Sequence, residues 1–328
     1  MTPFTYAKPA SVDQAVQLAG PDACFIAGGT NLLDLMKENV ARPARLIDIN
    51  DLPLRDVTPT ADGGLRIGAL VSNADLAWHP LIERDYPLLA QAILAGASPQ
   101  LRNMASSGGN LLQRTRCVYF YDTATPCNKR APGSGCPARD GLSRNHAILG
   151  ASRSCVAVHP SDMCVALAAL EARVVVRGRG GERCVAFADF HRLPDDAPER
   201  DNTLGEDELI LAIELPAPRF AGHSHYLKIR DRASYAFALV SVAAALELSG
   251  NHIRTLHVAL GGVAHKPWRD AALERHFVGE SAAAATYERF AEALLRAARP
   301  LPGNVFKVRL AHNAIVRALT QAQRGERP

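Results

Sequence analysis

The stretch from 98 to 162 places the tightest limit on how this chain of 328 residues can fold. It is rich in Gly, Pro, Arg, Asn and Cys, and only short pieces of it look regular. A connection that long is uncommon inside a compact domain unless it is functional. Four cysteines, Cys117, Cys127, Cys136 and Cys155, fall within 39 residues there, while Cys24, Cys164 and Cys184 are scattered. Seven is an odd number, and the first twenty residues lack the charged region and apolar run of a signal peptide, so a secreted disulfide framework is the wrong model. The spacing Cys-x9-Cys-x8-Cys-x18-Cys matches neither the close pairs of structural zinc nor ferredoxin runs. A 4Fe–4S cluster, however, needs only four thiolates that a loop can wrap around it. Arg114, Arg116, Lys129, Arg130, Arg139 and Arg144 would offset its negative charge. On residue types alone, a cluster or metal and four unrelated thiols both stand.

Apolar residues make up 48% of the chain and charged residues 21%, which is enough for real cores and excludes a disordered or collagen-like chain. At roughly 150 residues per domain, two domains are expected. The net charge of +4, from 37 basic and 33 acidic residues, gives no reason to expect nucleic acid as a partner. No run of ~18 apolar residues is present to span a membrane.

Along the chain, 11–19 reads as a helix with Ser11 as N-cap, followed by a strand at 24–27, a helix from Leu32 and a strand at 45–49, a small α/β unit. A strand at 64–69 follows, then helix over 73–96 interrupted near Pro80 and Pro87. Residues 163–176 read as helix then strand, and 207–215 as a strand ending at Pro216. A boundary is expected within 217–225. Beyond it, the apolar runs 241–248 and 253–260, joined by Ser249-Gly250-Asn251-His252, predict a β-hairpin. Two helices, 282–298 and 308–323, complete the chain.

Two glycine pairs have the form of cofactor loops. Ile26-Ala27-Gly28-Gly29-Thr30-Asn31-Leu32-Leu33 runs from strand into helix, so its glycines permit close backbone approach and the helix start offers free N–H groups to a pyrophosphate. It lacks the third glycine of the dinucleotide fingerprint. The plainer reading is a tight turn with Thr30 or Asn31 as N-cap. Ser106-Ser107-Gly108-Gly109-Asn110 is either a second phosphate or ribose cradle or a flexible surface loop. In His159-Pro160-Ser161-Asp162, the carboxylate is a helix N-cap, a ligand for a ribose or adenine, or both. Lys228 shares a strand face with Tyr226 and Arg230. It is either merely solvated or placed to stabilise the anionic end of a reduced flavin. No Gly-x-Ser-x-Gly, His-Glu-x-x-His or Walker loop is present.

These four pieces, in this order, resemble the FAD-binding subunits of molybdenum hydroxylases, the xanthine dehydrogenase and carbon monoxide dehydrogenase family, and the resemblance covers essentially the whole chain. The block from Arg116 to Gly150 is similar to the FAD subunits of periplasmic aldehyde oxidoreductases, in which four cysteines bind an extra 4Fe–4S cluster. The resemblance implies an α+β chain: a two-subdomain FAD-binding domain of the PCMH type at 1–222 (subdomains about 1–55 and 56–222, cluster loop at 113–155), then a small α+β domain at 223–328. It assigns the pyrophosphate loop to residues 26–34, thus Ile26, Ala27, Gly28, Gly29, Thr30, Asn31, Leu32, Leu33 and Asp34. Ser106, Ser107, Gly108, Gly109 and Asn110 form the second flavin loop. Asp162 is placed at the ribose or adenine end, Ile210 in a strand lining the site and Lys228 near the isoalloxazine. Cys117, Cys127, Cys136 and Cys155 become the cluster ligands.

By the same resemblance the chain carries electrons from iron–sulfur clusters through FAD to an external acceptor, and no residue of it is a general base. A large molybdenum-cofactor subunit oxidises the aldehyde and a small 2Fe–2S subunit relays electrons. Co-export to the periplasm with a signal-bearing partner is the expected location, with the cytoplasm as the alternative. Two other functions compete: a stand-alone FAD oxidoreductase using NAD, and a flavin-free scaffold built on a metal loop.

Overall fold

A computed structural model describes residues 1–325 of the chain; the last three residues of the expected C-terminal domain lie outside the described residues. The N-terminal unit holds β1 (Thr5–Ala7), α1 (Val12–Leu18), β2 (Ala23–Ile26), α2 (Leu32–Lys37) and β3 (Arg45–Asp48). Its sheet is parallel, in the order β1-β3-β2. Ser11 caps α1, its side chain accepting from the Gln14 N–H.

The second unit begins with β4 (Val57–Pro59) and β5 (Leu65–Gly68), and then α3 (Asn73–Ala77), α4 (Pro80–Asp85) and α5 (Pro87–Ala95). Pro80 and Pro87 occupy first-turn positions, where the missing N–H is no loss, so they open helices rather than kink one. Three short helices follow: α6 (Pro99–Met104), α7 (Ser107–Leu111) and α8 (Val118–Tyr121). The unit closes with α9 (Asp162–Ala169), β6 (Arg173–Gly178), β7 (Gly181–Ala186), α10 (Phe187–Phe190) and β8 (Leu209–Leu215). The five strands form one antiparallel sheet in the order β4-β5-β8-β6-β7. The first unit packs on it: Ala15, Val16 and Ile47 share a core with Val175, Leu209 and Leu211.

The C-terminal unit is a three-stranded antiparallel sheet, β9 (Ser224–Ile229), β10 (Val240–Ser249) and β11 (His252–Gly261), with α11 (Ala271–Arg275), α12 (Ala284–Leu295) and α13 (Phe306–Arg324). The expected hairpin is present, turning at Gly250-Asn251 with Gly250 at φ +57°. Its two runs are mostly apolar because both faces are covered. Ala243 and Ala245 face the core built on α5 and α9. Val242, Ala244 and Leu246 alternate onto Tyr287, Phe290 and Ile315 of α12 and α13. Ile148 and Leu149, at the end of the cysteine-bearing loop, also enter this second core, so the loop is anchored in the C-terminal unit.

Candidate cofactor sites

The sequence motifs meet along one line. Gly28 lies against the α6–α7 connection so closely that a Cβ there would stand 1.7 Å from the Met104 carbonyl oxygen. Gly29 has φ +70°. Asn50 holds the loop from behind, its Nδ2 donating to the Ala27 carbonyl at 3.1 Å. Leu32, Leu33 and Asp34 lie in the first turn of α2, and Leu33 is the side chain that a Cβ on Gly29 would meet. Neither Thr30 nor Asn31 caps α2 as expected: Asn31 holds the cap position without a side-chain cap bond, because its Oδ1 accepts instead from Arg116 Nη2 at 3.2 Å.

The second glycine loop is a helix start rather than a flexible loop. Ser106 caps α7, its Oγ accepting from the Gly109 N–H at 3.2 Å, and Ser107 Oγ donates to the Val71 carbonyl at 2.9 Å. Gly108 presses on Ala69, just past the end of β5. Asn110 then joins the loop to the next motif, accepting from Ser161 Oγ at 2.5 Å. Ser161, not Asp162, is the N-cap of α9, its Oγ accepting from the Cys164 N–H. That frees the Asp162 carboxylate to accept from the Tyr226 hydroxyl at 2.6 Å and Lys228 Nζ at 2.7 Å.

Asp162 and Lys228 are therefore one buried ion pair, with side chains 8% and 4% exposed, and not two separate contacts at opposite ends of a cofactor. Lys228 and Arg230 both donate to the Ala95 carbonyl at 3.0 Å. A lysine ammonium has three N–H donors, so one is left beyond Asp162 and Ala95. Tyr226 lies on the same strand face as expected, and burial beside Asp162 raises its pKa well above the ordinary value. Ile210 stands apart from this line: it pairs with Val176 in the sheet and its side chain belongs to the main core.

The cysteine loop encloses a second site. Cys117, Cys127, Cys136 and Cys155 all line one small cavity, together with Phe120, Lys129 and His146. Burial, before any other cause, raises the Cys117 and Cys155 thiols to about 11. Cys117 feels Cys127 and Cys136, and Cys155 feels Cys136 and Cys117, so the four act on one another as neighbours. Four thiolates on a single tetrahedral zinc stand about 3.8 Å apart at a Zn–S length of about 2.3 Å. Among the described residues, the one group of three or more possible ligands with donor atoms within 4.8 Å of one another is His159, Cys164 and His191. No three of the loop thiols therefore lie within 4.8 Å of one another, which is wider than a single tetrahedral ion requires.

Sequence reasoning named Lys129 among the basic residues of this loop but missed His146 beside the thiols and the partners that fix Lys129. His146 Nε2 lies 3.1 Å from Cys117 Sγ. Lys129 is buried, donating to the Pro198 carbonyl at 2.6 Å, to Asp201 Oδ1 at 2.5 Å and to the lone pair of His265 Nε2 at 2.8 Å. Of the six basic residues expected to balance a cluster, most are committed elsewhere. Arg114 pairs with Asp201, Arg116 with Asp34 and Arg144 with Asp231, and Arg130 binds backbone carbonyls. Lys129 beside Cys155 and Arg139 beside Cys136 are the two that favour a thiolate.

The His159–Cys164–His191 trio is core packing. The Ser161 N–H donates to His159 Nδ1 at 3.3 Å, which places that ring's proton on Nε2. His191 uses Nε2–H on the Leu111 carbonyl at 2.8 Å and packs edge-on against Phe187 and Phe190. Only two lone pairs are left for a metal.

The chain belongs to a flavoprotein family: residues 2–218 match the FAD binding domain in molybdopterin dehydrogenase, and 225–322 match the CO dehydrogenase flavoprotein C-terminal domain. Among its relatives is the aldehyde oxidoreductase FAD-binding subunit PaoB of Escherichia coli K12, 50% identical over 98% of this chain and 99% of that one. The carbon monoxide dehydrogenase medium chain of Hydrogenophaga pseudoflava is 28% identical over 97% and 96%. A solved structure of carbon monoxide dehydrogenase from that organism matches with a TM-score of 0.77 at 27% identity, covering 99% of this chain and 98% of the other. The architecture is the expected mixed α and β fold, and the match to an FAD-binding family leaves the flavin-free scaffold without support.

Proposed function

We propose that this chain is the electron-transfer FAD subunit of a molybdenum-dependent aldehyde oxidoreductase and that it holds a 4Fe–4S cluster on Cys117, Cys127, Cys136 and Cys155. The observation that carries the flavin site is the unbroken line of contacts from Gly28 through Met104, Ser106 and Asn110 to Ser161, Asp162 and Lys228. An extended dinucleotide needs such a line of backbone N–H groups and fixed polar side chains, and FAD bound there would supply a carrier that takes electrons singly from iron–sulfur clusters and can pass them on as a pair. Residues 28–32 present N–H groups to the diphosphate, whereas the N–H groups of Ser107, Gly108, Gly109 and Asn110 are held by Val71, Ala69 and Ser106, so that loop serves by its shape and side chains. Lys228, held by Asp162 and the Ala95 carbonyl, has one N–H left that would serve the ring end, and the pairing puts Asp162 at that same end.

In the second site, His146 Nε2–H donates to Cys117 Sγ, and Lys129 and Arg114, which share Asp201, leave one net positive charge beside the cluster. The aldehyde chemistry belongs to a large molybdenum-cofactor subunit, and a small 2Fe–2S subunit delivers electrons. The similarity to the E. coli aldehyde oxidoreductase subunit supports both assignments. Among the described residues no helix is long and apolar enough to cross a membrane. We place the assembled complex in the periplasm, exported with a signal-bearing partner.

Purification of the tagged chain from its native host tests this reading. Flavin bands near about 450 nm over a broad iron–sulfur absorbance, expected from the cofactors themselves, should accompany two partners, one larger and one smaller. The preparation should oxidise aldehydes with an artificial acceptor. A colourless chain that purifies alone overturns the proposal, and recovery of the complex only from the cytosol overturns its location.

A further inference from the structure

Arg116 stands between the two sites. Its backbone runs directly into Cys117 at the wall of the thiol cavity, and its side chain reaches the other way. Nη1 donates to Asp34 Oδ2 at 3.0 Å and to the Tyr121 hydroxyl at 2.7 Å, while Nη2 donates to Asn31 Oδ1. Tyr121, on α8 within the same loop, donates its hydroxyl to the same Asp34 oxygen at 3.0 Å. Tyr121 and Phe237 flank the guanidinium, with ring centroids at 5.8 and 5.3 Å.

Asp34 is an awkward residue for a flavin loop. It sits in the first turn of α2, where its carboxylate opposes any diphosphate held by the loop's N–H groups. Arg116 places a full positive charge on that carboxylate. By occupying Asn31 Oδ1 it also leaves the amide's Nδ2 as the end that can donate to a ligand.

We propose that Arg116 is a positioning residue for FAD: it neutralises Asp34 beside the diphosphate, and because it does so from the thiol loop, flavin retention is tied to the folding of that loop around its cluster. This rests on reading residues 26–34 as the diphosphate loop. Tyr121 reaches the same carboxylate from the thiol loop, and Arg116 is the charged partner there.

The test uses the full chain as it purifies, with iron and FAD counted per chain and a dissociation constant for FAD added back after its removal. Arg116→Gln should retain iron but weaken FAD about tenfold or more, as one uncompensated charge near a dianion does, and added salt should recover part of the loss. The double variant Arg116→Gln/Asp34→Asn should recover most of it. Arg116→Lys, which keeps the charge without the fork, should fall between. A purely structural strut predicts a loss that neither salt nor Asp34→Asn relieves, and that result overturns the proposal, as does Arg116→Gln binding FAD like wild type. Cys127→Ser should lose iron and also hold FAD more weakly; unchanged affinity in that iron-free chain removes the tie between the sites. Thr30→Glu examines the loop separately. FAD retained in it overturns the loop assignment, whereas FAD lost there but kept in Arg116→Gln overturns only the role of Arg116.

Discussion

At the scale of single residues, the glycines of the first loop separate into two jobs. Gly28 is required by the protein itself, since its neighbour at 1.7 Å would be the Met104 carbonyl and backbone cannot yield there. Gly29 is required by its φ of +70°, while the atom nearest its missing Cβ is the mobile end of Leu33 at 2.8 Å. Gly28→Ala should therefore cost about 2 kcal/mol or more of stability and FAD with it, and Gly29→Ala only about 1 kcal/mol. Urea denaturation of both variants checks this; equal losses would show that the Gly28 contact is soft. His146 gives a second prediction at this scale. An N–H donated to a ligand sulfur stabilises the more negative, reduced cluster. His146→Leu should shift the cluster potential to a more negative value in a redox titration followed by electron paramagnetic resonance. A potential equal to wild type would place the ring's proton on Nδ1.

At the scale of elements, the thiol loop has little apolar core of its own, and the proposed cluster would take the place of one. Cys24 enters β2, Cys164 is buried in α9 where burial raises its thiol to about 12, and Cys184 is exposed on β7. None of the three belongs to the cavity. Serine at Cys117, Cys127, Cys136 or Cys155 should lose iron and make residues 113–155 protease-sensitive. Serine at the other three should leave iron per flavin unchanged. Iron kept in Cys136→Ser, or lost in Cys164→Ser, would break this assignment. The α9–β9 contact follows a different rule. Lys228→Met leaves Asp162 buried with only the Tyr226 hydroxyl, and breaking a buried pair costs about 3 kcal/mol or more. Lys228→Met should thus melt well below wild type even without FAD, while Lys228→Met/Asp162→Asn should regain part of that loss.

At the scale of the whole molecule, buried histidines make stability depend on pH. Burial is the first cause that lowers His191, His257 and His265 to about 4, and it holds His159 well below its ordinary value. Their folded pKa values lie below the unfolded value of about 6.5. Their contribution is therefore present above about pH 6.5 and is lost as pH falls toward 4, because the unfolded chain takes up protons that the folded chain refuses. The urea midpoint should drop steadily across that window. His191→Phe, placed among Phe187 and Phe190, should make the slope shallower. A midpoint unchanged between pH 7 and 5 would mean that these rings take up protons in the folded chain as readily as in the unfolded one.

Local pattern alone was enough for much of this chain. Helix caps, proline breaks and hairpin turns are decided within a few residues, so α1, the α3–α5 run and the β10–β11 hairpin are legible in the sequence. The glycine loops and the cysteine set stand out because few other residue types can do what those positions require. Contacts across distance were not legible. Arg116 to Asp34 spans 82 positions, Lys228 to Asp162 spans 66 and Lys129 to Asp201 spans 72. Charge balance in the thiol loop looked local because its arginines are local, yet their partners lie in α2, in the segment after β7 and in the turn after β9. Ser161 took the cap that Asp162 had seemed to hold, and only the strand brought alongside by folding gave Asp162 its use. Sequence determines which backbone conformations and donor atoms are available; packing determines which buried charges face one another, because an unpaired charge in a core is too costly to leave to chance.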